Sequence, residues 1–600
     1  MSVTPAPRGT QDHALVVIAA VIVLTGSLWA AGACSALLSG HPVPHGHLVA
    51  PLAAFAHGGD PSVAWHGPVG PAVLYWSVTA VVVALLVGAT VVGWRLVRRD
   101  ADRARDDPTR AHGLAGRHQI ARATGPKSLL ARAGTLRPSL SRPGPQDVGY
   151  RLGTSGGVGC WASVEDSMLV LGPPRSGKGH NLVIPMILDA PGPVVTTSTR
   201  PDNLTVTLAE RQGRGPVAVF DPQGLATAPS LIPSLRWSPV RGCERPQTAM
   251  VRAAALVGDA RGSGVENGNF WHQQTLSAVR CLLHAAALDN RPAVDLYRWS
   301  HAAAGAKEAV AILATSPAAA PGWDRALDAI IAAEDRTRDA IWAMVANTFA
   351  PLADPAVLAA VTPASGDRFD PSDFLRSNGT LYLLGTASGS SATANLVAAL
   401  AEDVIDTARR MAASSPGARL DPPLGLILDE AANYPLPSLP SLMSEGGGSG
   451  ITTVAVLQSL AQARDRWGSE AAATIWDSAI VKIVLGGSAN ADDLADISRL
   501  IGDRDVREWT KTQGAGPSGR TLSTQIRQRP ILDPAAIRRI GLGSGLLLLR
   551  SAPPIMLTLS PWTARRDADR LAAARRSFES AMLAEATRTE PAIPAVPVDE

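Results

Sequence analysis

The chain has 600 residues, 46% of them hydrophobic and 18% charged, which excludes a lone small binding module and a wholly disordered or strongly acidic chain. A net charge of +3 excludes nucleic-acid binding through overall charge and leaves only locally basic surfaces for that role. Cys34, Cys160, Cys243 and Cys281 are scattered without CxxC or Cys/His spacing, so neither a disulfide framework nor a zinc site is indicated, and free thiols in a reducing compartment are expected.

Residues 1–97 read as a membrane anchor. Two uncharged stretches, about 14–38 and 73–94, are each long enough to cross a hydrocarbon core of about 30 Å as a helix. No Lys or Arg lies between residues 39 and 72, whereas Arg95, Arg98, Arg99, Arg103 and Arg105 crowd beyond the second stretch. That asymmetry predicts a multi-pass protein of the cell membrane with both termini and the bulk of the chain in the cytoplasm. A signal peptide ending at the small residues Ala31, Gly32 and Ala33 before Cys34 is the competing reading, but the apolar run is long for one. His41, His45, His47, His57 and His66 are irregularly spaced, as in a polar loop rather than a metal site. Residues 98–150, rich in Arg, Pro, Gly and Ser, read as a linker or stalk that could touch anionic lipid.

From 151 to 265, short apolar runs (SMLVL, PVVTTS, PVAVF) alternate with helical or turn segments, as buried parallel strands in an α/β sheet do. Residues 266–375 lose the strands and show Ala-rich segments of helical period, so an all-α insertion is expected. Its Arg280, Arg291, Arg325, Arg336 and Arg338 could meet phosphate, although acidic neighbours make a solvated helix surface the competing reading. The sheet pattern resumes over 376–562 with TLYLLG, LGLILDE, ITTVAVLQ and AIVKIVLGG, and residues 563–600 read as a disordered tail.

The strongest motif runs Gly172, Pro173, Pro174, Arg175, Ser176, Gly177, Lys178, Gly179, with His180 following, between an apolar run and a helical segment. Such a loop aims successive backbone N–H groups and a helix's positive end at phosphate oxygens, and Lys178 adds charge near the β and γ positions. The Ser or Thr that ordinarily follows the lysine and ligates Mg²⁺ is replaced by Gly179, so metal ligation must differ. The second element is an apolar run ending in Asp429 and Glu430. Asp429 is the expected metal ligand for the Mg²⁺ of a bound ATP, and Glu430 the expected general base. The third is Gln458, at the end of the run 451–457, suited to orient water or sense a γ-phosphate. Arg175 and Arg200 are further candidates to face phosphate, and Asp221 reads as structural.

These motifs in this order, with WSPVRGCERP, FWHQQ, LILDEAANYP, TTVAVLQSLAQARDRWG and RPILDPAAIRRIGLGSGLLLLR, resemble the TraG/TraD-like conjugative coupling proteins of type IV secretion, within the FtsK/HerA class of P-loop ATPases. The resemblance covers most of the chain. It implies a RecA-like P-loop NTPase core with an all-α insertion domain and two N-terminal transmembrane helices, assembled as a homo-hexamer with ATP between subunits. It also implies cargo, single-stranded DNA with or without a relaxase or else protein effectors, handed to secretion-channel components at the lipid bilayer. The family places an arginine after the acidic strand that reaches a neighbour's site, whereas this chain reads SEGGGSGITT there, with Arg464 and Arg466 as candidate replacements weighed against exposed helix residues or ion pairs. A nucleotide-binding receptor or scaffold with little turnover is therefore the alternative. An ABC-type transporter is disfavoured because no LSGGQ-like signature is present.

Overall fold

The computed structural model describes residues 9–45, 47, 50–106, 111–226, 232, 234–258, 268–364, 366, 369–385, 391–513 and 520–589. The chain divides into two compact units, residues 1–107 and 108–600. In the first, the helix Gly9–Leu38 and the helix Ala72–Asp106 are joined by short helical turns. Trp65 from these turns is buried, and it can be because Gly32 has no side chain: a Cβ there would sit 2.1 Å from the indole. Its Nε1–H donates to Tyr75 Oη at 3.2 Å, and Ser35 Oγ donates to Val69 O at 2.7 Å. Among the described residues one helix stretch, Ala72–Gly93, is long and apolar enough to cross a membrane, with a shorter apolar stretch at Val23–Leu38.

The second unit is built on a mixed sheet of 11 strands. In chain order these are β1 (Gly149–Ser155), β2 (Val158–Ser163), β3 (Met168–Leu171), β4 (Val194–Ser198), β5 (Val217–Phe220), β6 (Thr380–Leu384), β7 (Leu424–Leu428), β8 (Ile451–Leu457) and β9 (Val481–Val484). A separate hairpin, β10 (Asp503–Gln513) and β11 (Arg520–Pro530), comes next, and β12 (Ser544–Leu549) and β13 (Ile555–Thr558) return to the sheet. The sheet order is β2-β1-β13-β12-β9-β3-β8-β7-β4-β6-β5. Strands β9 to β5 in that order are mutually parallel, and β12, β13, β1 and β2 extend them antiparallel.

The central strands are buried throughout and mostly apolar because both faces are covered, as parallel sheets require. Alternate residues go to opposite cores. Leu169, Leu426, Ala455 and Leu457 join a core shared with helices, whereas Met168, Val170, Ile427, Val454 and Val456 join a second core on the other face.

Four stretches differ from the sequence expectation. Part of the predicted linker is folded: the helices Arg117–Thr124, Pro126–Leu130, Ala133–Leu136 and Pro145–Val148 bury Ile120, Leu129, Leu136 and Val148 in the second core. Sparse apolar residues among arginines disguised it, and Arg137 is held by Asp421 at 2.6 Å. The expected boundary at 265/266 itself lies outside the described residues, and the helices that flank it pack together. The helix Pro246–Val257 packs on the helices Gly268–Leu288 and Ser391–Ala413, and this helical cover shares one continuous core with the sheet. The predicted disordered tail holds a helix, Ala568–Thr589, whose Leu571 and Phe578 are buried and whose Arg570 pairs with Glu210 at 2.5 Å; residues 590–600 lie outside the described residues. The β10–β11 hairpin had no counterpart in the predicted elements.

Candidate nucleotide-binding and hydrolysis site

Strand β3 pairs with β8 and β8 with β7, Leu171 standing opposite Leu457 and Leu428 opposite Ala455. Because the three strands are parallel, the segments that follow them emerge at one edge of the sheet. The Gly172–Gly179 loop, Gln458, and the Asp429–Glu430 pair therefore stand side by side, in the crevice where open α/β sheets take ligands.

The loop is shaped by its own residues. The Gly172 N–H continues the ladder by donating to Leu457 O at 3.0 Å, and Gly177 turns the backbone at φ +84°. Arg175 is exposed and also left-handed, at φ +63°. Pro174 is exposed and Pro173 half-buried. Buried Lys178 curls over the loop, its Nζ donating to Gly172 O at 2.8 Å and Pro173 O at 3.1 Å. Burial pulls its pKa down, while the charges of Asp429 and Glu430 pull it up, so the lysine and the carboxylates share one field. The Ser176 hydroxyl is buried and has no hydrogen-bond partner among the described residues. Gly179 opens the turn Gly179–Val183, and nothing lies within 4 Å of where its Cβ would be. Crowding therefore does not explain the missing hydroxyl.

Asp429 is pushed up to about 6, by burial first and by Glu430 next. Its Oδ2 accepts from Asn203 Nδ2 at 3.4 Å, and its carbonyl accepts from Thr197 Oγ1 at 2.8 Å. Glu430 adopts a left-handed backbone, φ +51°, and is aimed by two donors to Oε2: Thr199 Oγ1 at 2.6 Å and Asn433 Nδ2 at 3.0 Å. Tyr434, its phenol held protonated by burial and by Glu430, donates to Ser198 O at 3.0 Å and to Gly385 O. Thr197, Thr199, Asn203, Asn433 and Tyr434 were not singled out in the sequence. For the first three, the polar run TTSTRPDN, which ends β4 and continues beyond it, was the available signal.

Two crowded carboxylates, one with a raised pKa, form a donor set that a divalent cation would relieve. No cluster of three or more His, Cys, Asp or Glu exists among the described residues.

Gln458 is half-buried between loop and carboxylates, its N–H donating to Gln462 Oε1 at 3.3 Å. His180 is exposed, with its ring 5.7 Å from that of Trp562 and Nε2 bonded to Thr563 Oγ1 at 3.2 Å. Arg464 is tied to Asp493 at 2.7 Å and Arg466 stands 3.7 Å from Asp465, while exposed Arg200 follows β4. Asp221 accepts from the Leu225 and Ala226 N–H groups at 2.9 and 2.7 Å and shapes its own turn. The glycine run of SEGGGSGITT is a packing surface, because a Cβ on Gly447 would fall 2.0 Å from Glu165 O.

Residues 423–541 match the family described as the TraM recognition site of TraD and TraG. A stretch of 144 residues is 27% identical to conjugal transfer protein TraG of Rhizobium radiobacter, covering 24% of this chain and 22% of that protein, so the match spans under a quarter of the relative's length. Among solved structures, the unbound monoclinic form of the bacterial conjugative coupling protein TrwBdeltaN70 aligns with a TM-score of 0.52 at 19% identity, over 73% of this chain and 92% of that one. Plasmid coupling protein TrwB in complex with ADP and Mg²⁺ aligns at 0.51 and 19%, over 71% and 91%. TrwB with the ATP analogue ADPNP aligns at 0.50 and 19%, over 71% and 92%. At that identity these likenesses show a shared mixed α/β fold with a large parallel sheet. The chain is thus similar to TraG/TraD-like conjugative coupling proteins in one matched domain, in one short stretch of sequence and in fold.

Proposed function

We propose that the chain is a membrane-anchored ATPase that recruits DNA, nucleoprotein or protein cargo to a conjugation channel and moves it by ATP hydrolysis. One observation carries the reading: the loop with Lys178 and the pair Asp429 and Glu430 emerge at one edge, separated only by β8, and act on each other's charge.

In this reading the loop N–H groups bind the phosphates and Lys178 leaves its loop carbonyls for the β and γ oxygens. Asp429, supported by Asn203, would hold a Mg²⁺ ion, which would supply neutralisation of the charge that develops on the leaving phosphates. Glu430, aimed by Thr199 and Asn433, takes the proton of the attacking water, and Gln458 orients that water. Two N-terminal spans, a hexameric ring and cytoplasmic placement of both termini complete the proposal, and the long apolar helix stretch Ala72–Gly93 supports the anchor. A receptor that binds nucleotide with little turnover is the second reading, favoured by the arginine-free glycine run and by the ion pair that occupies Arg464.

Phosphate release by the full chain in detergent separates them. Lys178→Ala is expected to lower release at least about a hundredfold, and Glu430→Gln to do the same while nucleotide binding persists. Release that is absent, or independent of Lys178, selects the receptor.

A further inference from the structure

The segment that joins the two long N-terminal helices folds back along them instead of standing off their ends. Trp65 meets Gly32, six residues before the end of the helix Gly9–Leu38 and so about 9 Å back along it, and its ring lies 6.3 Å from that of Trp29. Trp76 is four residues, about 6 Å, into the apolar stretch Ala72–Gly93. Its Nε1–H donates to Gly58 O at 2.9 Å, and its ring lies 5.0 Å from that of Phe55. Phe55, Gly58 and Trp65 thus share the depth of the last turns of one helix and the first turns of the other.

At that depth the segment has an inner and an outer side. The helix Ala50–Ala54 buries Ala50, Pro51 and Ala54, the two alanines in one cluster with Trp65, Val69 and Tyr75. It turns Leu52 outward, the following turn Phe55–His57 adds Phe55, and the helix Ser62–Trp65 adds Val63; these three are 45%, 58% and 53% exposed. Little charge accompanies them. Residues 39–72 contain no Lys or Arg and one carboxylate, Asp60, which accepts from the N–H and the hydroxyl of Ser62. The backbone closes on itself in short turns, Ala50 N–H donating to His47 O at 2.8 Å, Asp60 N–H to His57 O at 3.0 Å and Ala64 N–H to Pro61 O at 3.1 Å. His57 Nδ1 is bonded to Ala53 O at 3.3 Å. Polar groups without such partners would be costly away from water.

We propose that Leu52, Phe55 and Val63 are seated in the boundary between headgroups and acyl chains of the bilayer, at the membrane face opposite Arg95. The connecting segment is then an interfacial collar on the anchor and not a loop in water. The inference rests on the membrane-anchor reading above. An apolar face lying in the membrane plane enters this boundary by about 5–10 Å, which matches the depth of Trp76. Aromatic rings with a polar edge gather at that level, and Trp29, Trp65, Tyr75 and Trp76 stand together here.

The test places the full chain in vesicles of phosphatidylethanolamine and phosphatidylglycerol. Cys34→Ala removes the exposed thiol, and Leu52→Cys, Phe55→Cys and Val63→Cys then carry a spin label one at a time. Leu85→Cys in the apolar stretch and Arg336→Cys in the second unit serve as lipid and water references. The ratio of collisions with dissolved oxygen to collisions with a water-soluble nickel chelate is expected to be at least about fivefold higher at 52, 55 and 63 than at 336. A ratio equal to that at 336 puts the segment in water and overturns the proposal. So does shielding from both reagents, which means that a second copy or another protein covers the face. The unmodified chain gives an independent answer where a label disturbs the fold. With a phosphatidylcholine that carries a photoreactive diazirine beside its headgroup, lipid adducts are expected on residues 50–65, and their absence while adducts form on Ala72–Gly93 overturns the proposal. Failure of the anchor reading looks different: the label at 85 then reads as water, and neither segment gains adducts.

Discussion

Charge is handled in opposite ways at the phosphate edge and in the helical cover of the sheet. At the edge, Lys178 spends its hydrogen bonds on two loop carbonyls, and Asp429 is pushed up to about 6 by burial beside Glu430. In the cover, charges are matched. Arg252 and Asp403 meet at 2.7 Å with both side chains 1% exposed, and Asp403 also accepts from Trp237 Nε1 at 3.0 Å and Arg241 Nη1 at 3.3 Å. Arg291 and Arg298 converge on Glu308 at 2.7 and 2.5 Å. Strained ionisation marks a place kept ready for a ligand, whereas complete pairing marks charge used to hold elements together.

The hardest blow to that contrast falls on Asp403. Asp403→Ala strands Arg252 and Trp237 in the core and is expected to cost about 3–5 kcal/mol, read as a lowered denaturant midpoint. Replacing both partners, Asp403→Leu with Arg252→Met, is expected to recover much of the loss, because no buried charge is then left alone. A double variant as unstable as the single one would mean that shape, not pairing, holds this junction.

The phosphate edge predicts the opposite sign. A carboxyl raised from 3.8 to about 6 holds a proton in the folded chain that the unfolded chain has lost across that window. Its contribution to stability therefore falls as pH rises from about 4 to about 6, and the full penalty persists above. Asp429→Asn is expected to stabilise the nucleotide-free protein by on the order of 1–3 kcal/mol at pH 8 and hardly at all at pH 4, while abolishing phosphate release. An equal gain at both pH values would show that the carboxyl's charge is not the cause.

How legible each part was in the sequence follows from the range of the forces that shape it. Strands β3, β7 and β8 announce themselves, because burial on both faces leaves an apolar run and the ligand edge then needs Lys178, Asp429 or Gln458 next in line. The aim of Glu430 was hidden. It depends on Thr199 lying beside it, 231 positions away in sequence, and only the pairing of β4 with β7 brings them together. The helix Ala568–Thr589 was equally concealed, since its Ala- and Arg-rich composition imitates a tail until Leu571 and Phe578 find the sheet domain. Residues 111–148 read as a stalk for the same reason, their buried Ile120, Leu129 and Leu136 standing far apart among basic residues.

The smallest expected effect tests whether pairing in the cover extends to its surface. Arg338 contacts Asp335 at 2.8 Å and Asp339 at 3.1 Å, whereas Arg336 on the same helix is exposed and makes no ion pair among the described residues. If single-stranded DNA meets this face, each arginine that touches phosphate adds about 0.7 to the slope of log affinity against log salt. Arg336→Ala is then expected to lower the slope by that amount, and Arg338→Ala to change it by less than about 0.2, since its charge is already committed to two carboxylates. Equal losses would show that Asp335 and Asp339 release Arg338 to the strand, and that pairing at the surface, unlike the buried pair at Asp403, yields to a competing polyanion.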